Sequence, residues 1–270
     1  MTGSKEQGLV IQDRDRRLLS ELGVMRVIDR EQAKLAAGFG STTRMNTRLL
    51  ALTRAGLLRR FFTGTILGGR KAFYTLSPKG VALVDAPLGG IRRPADATLA
   101  GDRFLEHQWR VNEIYLTVKC RGIPIPGAEF RRWLSFPGKI SPATPIVPDG
   151  YFELNCTDGA RALFLEVDQG TEPLRSWQRK VQAYLHLAIS GEFERLFHQD
   201  RFRVLVVAAS PKRLQGIRAT VARSTDKIFW FSTFESIEGN GFWSRVWLRP
   251  QGDESQMLLP SCATATTATG

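Results

Sequence analysis

The chain has 270 residues, 43% of them hydrophobic, enough to bury one large core or two modest ones. It contains no run of about 18 apolar residues, which predicts no transmembrane helix, and its opening "MTGSKEQGLVIQDRDRR" lacks the apolar region of a secretory signal. Three widely spaced cysteines without a CxxC, and three scattered histidines, exclude a disulfide framework and a zinc site and suit a reducing, cytoplasmic setting.

The net charge of +12 is unevenly placed: residues 1–93 hold 17 Lys and Arg against 7 Asp and Glu, and residues 94–270 hold 21 against 19. A basic excess confined to one third of a chain points to an anionic partner for that third, nucleic acid being the commonest. Residues 13–22, "DRDRRLLSEL", are predicted as a short amphipathic helix. A second follows in "IDREQAKLAAGFG", where Asp29 and Gln32 have the spacing of a capping box and Gly38 and Gly40 stop the helix. Ser41 can cap a third, "STTRMNTRLLALTRAG", closed by Gly56. In it Met45, Leu49 and Leu52 fall on one face, and Thr43, Arg44, Thr47, Arg48 and Ala51 on the other.

Next, "LLRRFF" (57–62) and "KAFYTL" (71–76) have strand character and flank the Gly-rich "TGTILGGR"; "SPKGVALV" then starts a closing helix at Ser77 and Pro78. Helices, a glycine-containing turn and a basic hairpin are the pattern of a winged helix-turn-helix. On this reading Thr43, Arg44, Thr47, Arg48, Arg59, Arg60, Arg70 and Lys71 contact double-stranded DNA, helix three in the major groove and the wing on the backbone. The start "GTILGGRK" imitates a phosphate loop, but Arg70-Lys71 breaks the required Lys-Ser/Thr order and the segment joins two strands, so no nucleotide cofactor is expected.

Residues 86–102, rich in Pro, Gly and Ala, mark the boundary. The expected organisation is a winged-helix domain over 1–88, a linker over 89–102, an α/β domain over 103–250 and a disordered, low-complexity tail over 251–270. The second domain begins with a helix, "RFLEHQWRVNEIYLTVKCRG", bearing Leu105, Trp109, Asn112 and Leu116 near one face. Strands follow at "EFRRWLSF", "DGYFEL", "RALFLEV" and "FRVLVVAA", with a long helix at "EPLRSWQRKVQAYLHLAI", an α/β layout around a central mixed sheet.

Glu166 and Asp168 end the apolar run "RALFLEVD" and, two apart, point to one face. A hairpin through Thr157-Asp158-Gly159 brings Asp149 to the same end of the sheet. Three converging carboxylates suit a hard cation, Mg²⁺ or Mn²⁺. Lys180 shares a helix face with Trp177, Tyr184 and Leu187 and can project back toward the acids. Acids, a metal and a lysine are the parts of phosphodiester hydrolysis, which makes Asp149, Glu166, Asp168 and Lys180 the catalytic candidates. Glu113 could add a fourth acid or lie on a solvated helix face. The aromatic "FWFSTFESIEGNGFW" reads as a packing strand and turn, or as a stack for single-stranded bases.

The order "PDG…LEVDQGTE…W..K…Y" resembles the PD-(D/E)XK nuclease superfamily. Over roughly residues 13–250, with "AGLLRR", "YTLSPKG" and the helix around His107, the chain resembles the replication-relaxation family of plasmid and mobile-element proteins. That resemblance implies a winged helix joined to a restriction-endonuclease-like domain, with Asp149 and Glu166 matching the metal acids and Lys180 a lysine moved onto the helix. Where the superfamily pattern places lysine, this chain has Asp168. Either Lys180 substitutes and Asp168 becomes a further ligand, or cleavage is lost and the fold serves a regulator as a platform. Winged helices often work as dimers; a homodimer stays open, with no dimer signature in the sequence.

Overall fold

The computed structural model describes residues 9–64, 70–84 and 102–259. The chain forms two compact units, Met1–Leu116 and Thr117–Gly270.

The first unit runs α1 (Asp13–Met25), β1 (Ile28–Asp29), α2 (Arg30–Ala36), α3 (Thr42–Arg54), β2 (Leu58–Gly64), β3 (Arg70–Leu76) and α4 (Pro78–Leu83). The caps read from the sequence are present. Asp29 accepts from the Gln32 amide at 2.8 Å, Ser41 from Arg44 at 3.4 Å and Ser77 from Gly80 at 3.0 Å. Gly56 takes φ +73° beyond the end of α3, a left-handed conformation that costs glycine nothing. Strand β3 sits between β1 and β2, antiparallel to both. Leu18, Leu22, Met45, Leu49 and Leu52 are fully buried, so the apolar stripes of α1 and α3 face the core of this unit.

Helix α5 (Asp102–Lys119) was expected to open the second domain, but up to Leu116 it belongs with the first. Its face carries polar groups that match backbone and side chains there. Trp109 Nε1 donates to Asp29 Oδ2 at 2.8 Å, Asn112 Nδ2 to the Val27 carbonyl at 2.6 Å and Tyr115 Oη to Glu21 at 2.5 Å. Leu105 joins Val27 and Phe73 in a small apolar cluster. Helical periodicity identifies such a face but does not say which partner it meets. The linker reading falls on residues outside those described, apart from Asp102, which starts α5.

The second unit is built on a five-stranded sheet in the order β4 (Glu129–Leu134), β5 (Gly150–Cys156), β6 (Gly159–Asp168), β7 (Phe202–Ala208), β8 (Phe229–Thr233). Pairs β4/β5 and β5/β6 are antiparallel while β6/β7 and β7/β8 are parallel, so the sheet is mixed, as the α/β reading expects. Helices α6 (Leu174–Ile189) and α7 (Glu192–Phe197) cross from β6 to β7, and α8 (Pro211–Ala222) crosses from β7 to β8. Phe164, Trp177, Tyr184, Leu187, Val206 and Ile217 bury completely between sheet and helices, each large apolar side chain contributing about 1.5–3 kcal/mol by leaving water. Gly150 follows Asp149 for a packing reason: a β-carbon there would stand 2.2 Å from the Trp133 ring.

After β8 comes α9 (Phe234–Asn240). Residues 251–259 were read as the start of a disordered tail, yet Gln256 pairs with Trp247 and Leu258 and Leu259 are buried; residues 260–270 lie outside those described. Among the described residues no helix is long and apolar enough to cross a membrane.

Candidate functional site

The hairpin brings the acids to one end of the sheet. Gly150 pairs with Leu165, and the Asp149 amide donates to the Leu165 carbonyl at 3.1 Å, so Asp149 stands beside Glu166. One Asp149 oxygen accepts the Val167 amide at 2.7 Å. Glu166 and Asp168, 1% and 4% exposed, both face α6. Two buried carboxylates need compensation, and each has its own. Lys180 Nζ lies 2.8 Å from Glu166 Oε2, and Tyr184 Oη donates to Oε1 at 2.6 Å. Lys180 also reaches Glu172 at 2.9 Å and lies 5.0 Å from the Trp177 ring centroid.

Asp168 has a different partner, which the sequence reading missed. Arg213, on α8, donates from Nε to Oδ1 at 2.6 Å and from Nη2 to Oδ2 at 2.8 Å. The Gly170 amide adds a bond to Oδ1 at 2.7 Å and Trp177 Nε1 one to Oδ2 at 2.9 Å. A carboxylate offers about four lone-pair sites, and here all four are taken. A signal for Arg213 existed: "SPKR" repeats the Ser-Pro helix start seen at Ser77, and Ser210 caps α8 as Ser77 caps α4.

The electrostatics follow from these contacts. Burial pushes the Glu166 carboxyl up, against the pull of Lys180, with neighbouring Asp149 adding to the rise. Burial works against the Lys180 ammonium, but Glu166, Glu172 and Asp149 outweigh it and hold its pKa well above the ordinary lysine value. Burial likewise opposes ionisation of Asp168, yet the bonds from Arg213, Trp177 and Gly170 hold its carboxyl below the usual range. Burial, then Glu166, raises the Tyr184 hydroxyl.

These residues do not form the expected ligand set. Asp168 has no open oxygen for Mg²⁺ or Mn²⁺, and Glu166 already carries an ammonium and a phenol. Among the described residues no group of three or more His, Cys, Asp and Glu is arranged to hold a metal ion. The positive charges between the carboxylates are Lys180 and Arg213. Glu113, the optional fourth acid, accepts from Gln32 Nε2 at 2.8 Å within the first unit. In the aromatic segment Phe229, Trp230, Phe231, Phe242 and Trp243 are all buried, so it offers no open stack.

The eight basic-face candidates separate. Thr43, Arg44 and Thr47 are exposed along α3, and Arg60 and Arg70 along the hairpin. Arg48 instead turns to Asp15, with Nε 2.5 Å from Oδ1 and Nη2 on Oδ2, and reaches the Val10 carbonyl at 2.6 Å. Lys71 pairs with Asp29 at 2.6 Å and lies 4.2 Å from the Trp109 ring centroid. Arg59 is half-buried on the strand face of Phe61, away from Arg60.

Fold and site together define a two-unit α/β protein with a basic helical face and an ion-paired acidic centre at one end of a mixed sheet. The chain belongs to the replication-relaxation family, which matches residues 15–198. No curated protein matches it. Among solved structures it is similar to the restriction endonuclease FokI, with 15% identity and a TM-score of 0.33, covering 89% of this chain and 46% of that one. The chain thus spans about half the length of that structure.

Proposed function

We propose that the protein binds double-stranded DNA through its first unit, as a winged helix acting in plasmid or mobile-element replication or transfer. The second unit serves as a non-cleaving, nuclease-like platform. The observation that carries this reading is the pairing of charges. Arg44, Arg60 and Arg70 have no acidic partner among the described residues, whereas the buried acids Glu166 and Asp168 are each paired with a cation. Uncompensated exposed guanidinium groups suit phosphate oxygens; compensated buried carboxylates suit structure.

Binding of a labelled duplex, followed by fluorescence anisotropy across a salt series, tests the first half. A steep loss with salt is expected, and R44A should weaken binding. Affinity unchanged in R44A overturns the winged-helix assignment.

A second reading, metal-dependent cleavage, is favoured by one observation. Asp149, Glu166 and Lys180 meet from the strand start, strand end and helix that the nuclease resemblance names. Mg²⁺ or Mn²⁺ would there compete with Lys180 for Glu166. Incubation of supercoiled plasmid and single-stranded DNA with Mg²⁺, Mn²⁺ or EDTA separates the two. Nicking that needs metal and disappears in E166A and K180A establishes the nuclease. No nicking, with DNA binding intact in EDTA, establishes the platform.

A further inference from the structure

Phe62 is 47% exposed. A phenylalanine normally buries 150–250 Å² and gains stability by doing so; its neighbour Phe61 is partly buried and stacks on Phe73 with centroids 5.9 Å apart. Strand alternation turns Phe62 to the opposite face of the hairpin, together with Arg60. Directly across the ladder stands Ala72, too small to cover the ring, and Arg70 is one step further on, opposite Gly64. The Arg60 and Arg70 guanidinium groups lie 5.2 and 5.7 Å from the Phe62 ring centroid. Neither has an acidic partner among the described residues.

We propose that Phe62 is a stacking platform for an unpaired DNA base, with Arg60 and Arg70 holding the phosphates on either side of it. This deepens the DNA-binding reading above and rests on it. An aromatic face accepts any base because every base presents a π-face, and guanidinium groups grip phosphate through paired N–H donors. An apolar protein surface seated here would have to bury two cations without counter-charge, which is costly; a nucleotide brings both the counter-charge and a flat ring to stack. In a closed duplex the base faces are stacked on one another. The platform therefore fits a fork, gap or single strand adjoining a duplex.

The test compares a forked duplex with a fully paired duplex of the same length, at one salt concentration, using the full chain and fluorescence anisotropy. The wild type should bind the fork more tightly. F62A should lose that preference, by roughly tenfold or more in affinity for the fork, while its affinity for the paired duplex and its melting temperature stay as in the wild type. F62W should restore the preference. R44A should weaken both substrates alike. Equal wild-type affinity for the two DNAs, an F62A protein that keeps the preference, or failure of F62W to rescue each overturns the platform. Loss of binding to both DNAs in the wild type overturns the DNA-binding reading instead.

Discussion

Arg213 closes both oxygens of Asp168, Nε on Oδ1 at 2.6 Å and Nη2 on Oδ2 at 2.8 Å, from a helix 45 residues further along the chain. This fork-on-carboxylate contact makes Asp168 a clamp between the end of β6 and the start of α8. A metal ion at Asp168 would have to displace this contact.

Removing one member of a buried ion pair leaves the other uncompensated. R213A is expected to lose about 3 kcal/mol of stability at neutral pH, read from urea denaturation. The pH dependence has a definite sign. With its pKa held below the ordinary aspartate value of about 3.9, Asp168 contributes stability that is full above that value and is lost as pH falls below it. Without Arg213, burial is the opposing influence, so the gap between R213A and wild type should narrow as the solution is acidified. A gap constant with pH would show that the pair is not coupled to folding.

Lys180 holds Glu166 in the same way. K180M should destabilise the second unit by about 3 kcal/mol, and E166Q/K180M should recover part of the loss because no fully buried charge is left unpaired, only the half-exposed Glu172 losing a contact. The raised Lys180 pKa means that its contribution is complete below the unfolded lysine value of about 10.4 and is lost as pH rises beyond it. Alkaline unfolding followed by circular dichroism should therefore begin above that value in the wild type and be blunted in the double variant.

Arg44 and Arg48 are four residues apart on α3 and have separate tasks. R44A should weaken DNA binding with no change in melting temperature, since Arg44 is exposed without an acidic partner. R48A should lower the melting temperature, because Asp15, fully buried, loses its cation. Equal stability of the two variants would contradict the Arg48–Asp15 pairing.

Gly150 is a packing requirement. G150A places a β-carbon 2.2 Å from Trp133 Cζ2 and should cost about 1–3 kcal/mol by overpacking. Replacing Trp133 with Leu in the same chain should relieve the clash, seen as a rise in the denaturation midpoint of the double variant over G150A.

Much of this was readable along the chain. The caps at Asp29, Ser41 and Ser77, the β5–β6 hairpin and the α6 face of Trp177, Lys180, Tyr184 and Leu187 follow from spacings of two to four residues. The sequence also placed Asp149, Glu166 and Lys180 in one neighbourhood. It left open which environment each side chain meets where two faces of one element were both plausible. Arg48 and Arg44, or Lys71 and Arg70, are adjacent in pattern but belong to different environments. Which arginine faces water depended on where Asp15 and Asp29 stood.

By itself, then, the sequence determined the helices of the first unit, α5 and α6, the strand segments of the second unit, the basic bias of the first third and the convergence of acids at one sheet end, because caps, periodicity and turn chemistry act over a few residues. Only the tertiary structure decided that α5 belongs with the first unit, that Arg213 comes to both oxygens of Asp168, and that Phe62 stays exposed between two arginines. Partner choice for a buried charge is set by proximity in space, through chain separations of 33 residues for Arg48–Asp15 and 45 for Arg213–Asp168. No local pattern records those distances.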